Sequence, residues 1–461
     1  MTVRRRSLLL GGAGLGLAGA AGASWALRPK RTDPRPNIVI VLTDDQGYDD
    51  VGCYADPTQE PVRGIRTPRL DRMAAEGVRL TDFYVAAPVC TPSRAALLTG
   101  CYPPRVGFGA SGGPDDPGVL LPSSSVGLHP DEHTVADCLR SVGYATGMVG
   151  KWHLGHRKGL LPTSQGFDAF FGVPYSNNQR PLPLLRDETV LRWLPDEPDL
   201  TGQFTEAAMT FVTTQRERPF FLYLAYTAPH APWQDGAWAG RTGAGPYADA
   251  IAHADDGVGQ ILDTLDRLHL SERTLVLFTS DNGPWLDPTV KAGAAGPFRG
   301  GKGDTAEGGM RSPCIVRWPG ILPAGTVNRE LMTALDVLPT VCGLGAAPLP
   351  PRVIDGLDVW ETLSTGSPSA RKSFAYYARG RLEAIRAGTY KRTFAVPDRE
   401  PPVGAALYKV DDDPGERVDR SAVEPDTVAR LEALAEPIRV ACGDALLGIT
   451  GAEVRPLGQG V

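Results

Sequence analysis

Apolar segments that alternate with helical patterns are the feature of this sequence that most restricts its fold. Residues 37–42 read Asn-Ile-Val-Ile-Val-Leu, which is typical of a strand buried on both faces of a sheet. Further strands are predicted at 145–149, 219–226 and 274–279, and helices at 67–77, 134–142 and 248–268. Strands and helices in this alternation predict an α/β fold with a mostly parallel central sheet flanked by helices.

The pattern changes near residue 346. The Pro-rich segment Pro348-Leu349-Pro350-Pro351 indicates a linker, and shorter elements follow it. Strands are predicted at 373–377, 392–396 and 406–410, and a helix at 428–438. We therefore expect a main α/β domain over residues 36–345 and a smaller C-terminal α+β subdomain, with a small antiparallel sheet and a helix, over 346–461.

Residues 1–26 have the composition of an export signal. Paired arginines at Arg4 and Arg5 precede Ser7-Leu8-Leu9 and a Gly/Ala/Leu-rich stretch, and Ala21-Gly22-Ala23 offers a cleavage motif. The arginines favour the twin-arginine route, which exports folded proteins, while the general secretory route stays open. No other segment reaches the roughly 18 apolar residues of a membrane span. We expect an exported protein, periplasmic or secreted, without a permanent membrane anchor.

Charge and cysteine content exclude some classes of function. The chain has 47 Lys and Arg against 53 Asp and Glu, a formal net charge of −6, and no basic stripe for nucleic acid. It has seven cysteines and no Cys-x-x-Cys pair, so a thiolate zinc site is not predicted. Apart from Cys90, six cysteines are enough for three disulfides in an oxidising compartment, and their pairing stays open.

Polar side chains follow four of the predicted strands at the point where each strand ends. These residues are Asp44 and Asp45, Lys151 and His153, His230, and Asp281 and Asn282. Ligands of open α/β sheets bind beyond the carboxyl ends of the strands. The sequence therefore predicts that these side chains meet at one edge of the sheet.

Asp44, Asp45, Asp281 and Asn282 together supply three carboxylates and one amide oxygen. Crowded carboxylates repel one another, so a cation is needed to stabilise them. An all-oxygen set favours Ca²⁺ or Mg²⁺ over zinc or copper. Taken singly, each pair is more often a solvated strand end or a turn. Taken jointly they predict a metal site.

Cys90 lies in the most specific motif of the chain. It opens Cys90-Thr91-Pro92-Ser93-Arg94, followed by Leu97 and by Thr99-Gly100. From the residues alone, Cys90 is an inert buried thiol, or a thiolate nucleophile near a helix beginning at about Ser93. The motif resembles the signature of the type I sulfatases, and the resemblance, closest to the arylsulfatase A-like branch, extends from Asn37 to Gly415.

This resemblance implies an alkaline-phosphatase-like fold and hydrolysis of sulfate monoesters of a small molecule or glycan. It also implies that a maturation enzyme converts Cys90 to Cα-formylglycine, and we expect this to precede folded export. The cation would be Ca²⁺, with Mg²⁺ as the alternative. The implied metal ligands are Asp44, Asp45, Asp281, Asn282 and modified Cys90. Arg94 would hold the aldehyde hydrate, and His153 would be the base. The sulfate would be bound by Lys151, Ser176, His230 and Lys302, and either His230 or Lys302 would protonate the leaving oxygen.

An aldehyde hydrate has a chemical advantage over Ser or Cys here. A sulfated Ser or Cys would be a stable ester, whereas the hydrate expels sulfate by collapsing to the carbonyl. The nearest rival is a phosphonate or phosphate ester hydrolase of the same superfamily. A catalytically silent binder of sulfated ligands is a second rival, which the full set of proton-transfer residues argues against. The natural sulfate ester and the oligomeric state are not predicted.

Overall fold

The computed structural model describes residues 33–55, 64–109, 118–194, 200–233, 236–287, 292–400 and 402–460. The predicted export signal at 1–26 lies outside these residues. Residues 35–461 form one compact unit. Across the described part of the chain, no helix combines the length and the apolarity that crossing a bilayer would require.

Strands and helices alternate through the first three quarters of the chain. The strands are β1 (Asn37–Thr43), β2 (Val78–Leu80), β3 (Phe83–Tyr84), β4 (Val126–Gly127), β5 (Ala145–Lys151), β6 (Ala169–Val173), β7 (Pro183–Arg186), β8 (Thr189–Trp193), β9 (Phe220–Ala225), β10 (Thr274–Ser280), β11 (Cys314–Arg317), β12 (Thr326–Asn328), β13 (Met332–Thr333), β14 (Ser373–Ala378), β15 (Arg381–Ala387), β16 (Tyr390–Thr393), β17 (Ala406–Lys409) and β18 (Gly458–Gln459). The helices are α1 (Pro68–Ala75), α2 (Cys90–Thr99), α3 (Val135–Ser141), α4 (Thr201–Gln215), α5 (Pro246–Arg267), α6 (Glu307–Met310), α7 (Val337–Gly345), α8 (Trp360–Thr365) and α9 (Pro425–Cys442).

The central sheet has ten strands in the order β12-β2-β11-β10-β1-β9-β5-β6-β7-β8. Its middle, from β10 through β1, β9 and β5 to β6, is parallel throughout. Antiparallel pairs lie toward both edges, β10 with β11 on one side and β6 with β7 on the other. The four strongest predicted strands are β1, β5, β9 and β10, so the prediction of a mostly parallel sheet is confirmed.

Both faces of the sheet are covered by helices. Along β1, Ile38 and Ile40 join one apolar core with α2, α3 and α7, while Val39 joins a second core with α1, α4 and α5. Because side chains alternate across a strand, a run buried at every position needs packing on both sides. The continuous apolar run that predicts a doubly covered strand is therefore explained.

The C-terminal part contains a four-stranded antiparallel sheet, β14-β15-β16-β17, against which α9 packs. The expected small antiparallel sheet and helix in the C-terminal part are confirmed, and the bounds of individual elements are corrected. The strand predicted at 392–396 is β16, which ends at Thr393. Strand β15 was not predicted, because its sequence combines the helix-favouring residues Leu, Glu and Ala with arginines. Helix α9 is longer than the predicted 428–438 and contains Pro437.

Helix α2 carries the Cys90 motif. It begins at Cys90 itself rather than near Ser93, because Val89 is extended and Pro92 is tolerated in a first helical turn. All ten of its residues are buried. All seven cysteines of the chain, Cys90 included, are free thiols, so the three disulfides that the cysteine count permits are absent from this structure.

Candidate functional site

The carboxyl ends of β1 and β10 bring four oxygen-bearing side chains together. The two strands run parallel in register up to their last residues, so the residues that follow lie side by side. The backbone N–H of Asp45 donates to Asp281 Oδ1 at 3.2 Å, and Asn282 Nδ2 donates to Asp45 Oδ1 at 2.7 Å. Asp44, Asp45, Asp281 and Asn282 are each at most 2% exposed. The predicted meeting of these strand ends is observed.

Cys90 lies against this group of oxygens. Its Sγ is 3.5 Å from Asp44 Oδ1, and one potential ligand atom each from Asp44, Asp45 and Cys90 lie within 4.8 Å of one another. Among the described residues, Asn282 Oδ1 is a buried acceptor with no hydrogen-bond donor. Buried acceptors are costly without a partner, and a hard cation would supply one. The donor set therefore fits Ca²⁺ or Mg²⁺.

Burial raises the pKa of the Cys90 thiol to about 12, and the neighbouring Asp44 carboxylate adds to the effect. The unmodified side chain is therefore protonated at neutral pH, and a thiol is a weak nucleophile. This environment does not favour the alternative in which Cys90 attacks as a thiolate.

Arg94, one turn along α2, braces the same cluster from the side. Its Nε and Nη2 donate to Asp281 Oδ2 at 3.0 and 2.8 Å, and its Nη1 donates to the Lys151 carbonyl at 2.7 Å. Burial, reinforced by Asp44, nevertheless raises the pKa of Asp281 to about 7, while Arg94 opposes this. Negative charge is thus costly here even with Arg94 in place.

Lys151 ends β5 and extends under Cys90. Its Nζ donates to Asp44 Oδ2 at 2.5 Å and to Ser176 Oγ at 3.2 Å. Burial raises the pKa of Asp44, but Lys151 and then His230 and Arg94 outweigh it, so this pKa lies well below its ordinary value. The predicted sulfate-binding residues Lys151 and Ser176 therefore lie in contact.

Lys302 and His230 approach Asp45 from two loops. Lys302 Nζ donates to Asp45 Oδ2 at 2.6 Å, and His230 Nε2 is 3.5 Å from the same oxygen. Burial lowers the pKa of the Lys302 ammonium, but the Asp45 carboxylate outweighs burial and raises this pKa above its ordinary value. Burial lowers the pKa of His230 below its ordinary value, although Asp45 and Asp44 oppose this. Lys302 is therefore the group of the two that stays protonated at neutral pH.

His153 is held in one tautomer by the Leu120 carbonyl, which lies 2.9 Å from Nε2. A carbonyl only accepts, so Nε2 carries the proton and Nδ1 presents a lone pair. Nδ1 is buried and has no hydrogen-bond partner among the described residues. Burial, with Lys151 and Arg94, lowers the pKa of His153 well below its ordinary value. His153 is thus a neutral imidazole with a free basic nitrogen.

Three contacts that position these groups are not evident from the sequence. Asn177 Nδ2 donates to the His230 carbonyl at 3.2 Å. Gln179 Nε2 donates to the Leu120 carbonyl at 3.0 Å, and its Oε1 accepts the Ser176 N–H at 3.2 Å. All three residues follow β6, a fifth strand end at the same edge of the sheet. The Phe-rich run at 169–173 is the signal that could have located them.

A cavity of about 250 Å³ adjoins the cluster. It is lined by the neighbours of three site residues: Val89 and Thr91 beside Cys90, Gly303 beside Lys302, and Leu120, which holds His153. The turn between β14 and β15 closes its far side with Arg379, an exposed residue. The residues predicted for the site therefore lie in one cluster next to a cavity, and all of them are buried except His230 and Lys302, which are partly exposed.

Comparison with known proteins identifies the family. The sulfatase family model matches residues 36–346. The chain belongs to the sulfatase family. Human arylsulfatase A is 39% identical to it over 454 residues, which cover 87% of this chain and 85% of that protein. N-acetylgalactosamine-6-sulfatase from dog is 42% identical over 412 residues, covering 85% and 75% respectively.

A solved sulfatase from Pseudoalteromonas superposes with a TM-score of 0.79 at 27% identity, covering 92% of both chains. The resemblance to the arylsulfatase A-like branch is confirmed by these relatives, and so is the expectation of an enzyme. This sulfatase is a sulfuric ester hydrolase.

Proposed function

We propose that this sulfatase hydrolyses sulfate monoesters with a formylglycine made from Cys90, beside a divalent cation at the carboxyl ends of β1 and β10. The observation that carries the proposal is the packing of Cys90 on Asp44 and Asp45, with ligand atoms within 4.8 Å of one another. A structural cysteine needs no carboxylates or buried lysine next to its sulfur.

Asp44, Asp45, Asp281 and Asn282, with the modified side chain of residue 90, would hold the cation. Ca²⁺ is the preferred ion and Mg²⁺ the alternative, since all donors are oxygens. When bound, the cation would act as a Lewis acid that promotes deprotonation of the attacking hydroxyl. The unpartnered Asn282 Oδ1 supports this assignment.

The hydrated aldehyde at residue 90 would supply the nucleophilic hydroxyl and a second hydroxyl through which sulfate is later expelled. The protein's contribution is to hold that position still. Arg94 bonds Asp281 and the Lys151 carbonyl through all three of its guanidinium nitrogens, so it would set the geometry around the hydrate and balance its charge.

Lys151, Ser176, His230 and Lys302 would bind the sulfate. The side-chain nitrogens of Lys151, His230 and Lys302 converge on the carboxylates beside Cys90, and Ser176 Oγ accepts a hydrogen bond from Lys151. This arrangement would place preorganised positive charge where the sulfuryl group would lie. Lys302 is protonated at neutral pH, so it can stabilise and protonate the departing oxygen. His230 assists from the other side of Asp45.

His153 would be the base that drives sulfate release. Its Nδ1 lone pair is free and its pKa is lowered, so it can accept a proton without first losing one. The Leu120 carbonyl keeps the ring in that tautomer.

The substrate would be a sulfated small molecule or glycan. One relative carries a sulfated amino sugar in its name, N-acetylgalactosamine-6-sulfatase. The 250 Å³ cavity beside Cys90 and Lys302 would receive the part of the substrate that departs. We keep residues 36–345 as the catalytic domain and 346–461 as the C-terminal subdomain. Export by the twin-arginine route and a formylglycine-generating maturation enzyme belong to the same proposal.

The proposal is tested on protein produced with and without a formylglycine-generating enzyme. Mass spectrometry of the peptide containing residue 90 should detect the aldehyde only in matured protein, and turnover of an aryl sulfate should follow the aldehyde content. Cys90→Ala is the inactive control. Aryl phosphate and aryl phosphonate, assayed in the same buffer, should turn over more slowly. Full activity with an unmodified Cys90 would contradict the mechanism, and faster phosphonate turnover would favour the rival hydrolase.

A further inference from the structure

Glycines shape the backbone of the loop that presents Lys302, residues 299–305. Gly300 and Gly303 flank Lys302 at φ +74 and +89, in backbone regions that only glycine adopts freely. Three backbone bonds of 2.8 Å anchor the loop to the main domain: Lys302 N–H donates to the Pro284 carbonyl, Gly303 N–H to the Pro88 carbonyl, and Gly308 N–H to the Arg299 carbonyl. Further contacts hold the residues that follow Lys302.

Those contacts come from the C-terminal sheet and from the segment that connects two of its strands. Arg399, between β16 and β17, donates from Nη2 to Asp304 Oδ1 at 2.8 Å and also to the Gly303 carbonyl. Glu383 in β15 accepts from Thr305 Oγ1 at 2.7 Å and from Arg399 Nη1. The three residues that follow Lys302 are thus all bonded to one part of the C-terminal subdomain.

Asp304 connects Arg399 to Gly301, the residue that precedes Lys302. Its second oxygen, Oδ2, accepts the Gly301 N–H at 3.1 Å, and its own N–H donates to the Gly301 carbonyl at 2.9 Å. Arg399 holds one oxygen of this carboxylate, while the other closes the turn around Lys302. A single guanidinium therefore links the residues on both sides of the lysine.

The end of the loop is fixed by a deeper ion pair. Lys391 in β16 donates from Nζ to the Thr305 carbonyl at 2.8 Å and to Glu307 Oε1 at 3.1 Å, and it pairs with Glu416 Oε1 at 2.9 Å. Lys391, Glu307 and Glu416 have fully buried side chains. Removal of Lys391 would leave buried carboxylates without a partner and would endanger folding. Arg399, whose side chain is 17% exposed, is the better residue to test.

We propose that Arg399 is a positioning residue for Lys302, through which the C-terminal subdomain sets the geometry of a sulfate-binding cation. This inference rests on the proposed role of Lys302. The Arg399–Asp304 pair holds the turn 301–304 closed, and this turn directs Lys302 Nζ toward Asp45. Arg399 does not contact the reacting atoms.

The experiment is a double-mutant cycle between Arg399→Ala and Lys302→Ala, with kcat and KM for an aryl sulfate normalised to aldehyde content. A misplacement of about 1 Å costs on the order of a hundredfold in rate, so Arg399→Ala should lower kcat/KM by roughly tenfold to a hundredfold. In the Lys302→Ala background the same change should have almost no further effect. Arg399→Lys should recover part of the loss. A poorer leaving group should enlarge it, since Lys302 stabilises the departing oxygen.

Arg381→Ala is the matched control. Arg381 makes an ion pair with Asp398, the neighbour of Arg399, through two bonds of 2.8 and 2.6 Å, and within the described part of the chain it makes no hydrogen bond or ion pair with residues 299–305. It should leave kcat/KM unchanged. The inference would be overturned if Arg399→Ala lowered kcat/KM equally with and without Lys302, or if Arg381→Ala lowered it as much as Arg399→Ala. In either case, wild-type turnover would still support the proposed function. Absence of wild-type sulfate release would instead refute the proposed function itself.

Discussion

Replacement of His153 by Ala tests the most specific prediction of the site. The change removes the Nδ1 lone pair, which is free of protein partners in the described structure, and the Nε2–H that donates to Leu120. General bases contribute a factor of about 10²–10⁴ to rates, which corresponds to roughly 3–5 kcal/mol of the barrier. We expect steady-state turnover to fall by that factor.

The cost to folding should be much smaller. A carbonyl left without a donor in the interior costs about 1–3 kcal/mol, but the Leu120 carbonyl also accepts from Gln179 Nε2 at 3.0 Å. It therefore stays satisfied in the variant, and what remains is mainly the volume of one imidazole. His153→Ala should fold, and its Tm should stay close to that of the wild type.

The assay is rapid mixing with an aryl sulfate that releases a coloured phenol. If His153 acts only when sulfate is expelled, the first phenol should appear at nearly the wild-type rate, as a burst of about one per aldehyde-bearing enzyme. Slow turnover should follow. Matched slowing of the first and later turnovers would refute the assignment, because it would place His153 in the attack step. A loss below tenfold would refute it as well.

Three further predictions follow from the same geometry. Removal of divalent ions with EDTA should abolish turnover, and Ca²⁺ at 100 times its Kd should raise the free energy of chemical unfolding by about 2.7 kcal/mol. In Asn282→Ala this increase should be smaller, and an unchanged increase would place the ion elsewhere. The pKa of His153 is lowered in the folded state, so its contribution to stability is complete above pH 6.5 and is lost as the pH falls below it, by up to about 1.4 kcal/mol per pH unit. In His153→Gln, the free energy of unfolding in urea should therefore fall less steeply between pH 7 and 5 than in the wild type. An identical fall in both proteins would refute this. Arg379 lies at the rim of the cavity, so Arg379→Ala should raise KM for a substrate with a second anionic group but not for an aryl monosulfate, with Arg381→Ala as the unaffected control.

The parallel centre of the fold and the sheet edge that carries the candidate site were predictable because both depend on local patterns. Strands such as β1 and β10 are buried on both faces, so they appear as unbroken apolar runs, and parallel pairing then brings their ends together. The antiparallel strands were harder to predict from the sequence. Strand β8 is exposed at every residue and β15 is rich in arginine, so pairing with neighbours, rather than their own composition, determines them.

The site shows the same division. Asp44, Lys151 and Asp281 follow strands and could be located from the sequence, whereas Gln179 and Arg399 could not. Those two act by hydrogen bonding to backbone or to a carboxylate about 60 and 95 residues away in the chain, and no local pattern encodes such a contact. Residues that position others are therefore the part of this site that sequence reasoning misses.

The complete burial of helix α2 has a consequence for how active protein is produced. Cys90 is 2% exposed at the start of a helix with ten buried residues, so a modifying enzyme cannot enclose it in the native state. Under the proposed mechanism, maturation of Cys90 and folding would therefore compete in time, and each chain that folds first would keep an unmodified thiol. The active fraction should depend on the ratio of two rates. Slower folding, at low temperature or with a weakened core, would then raise the specific activity of the product while lowering its stability.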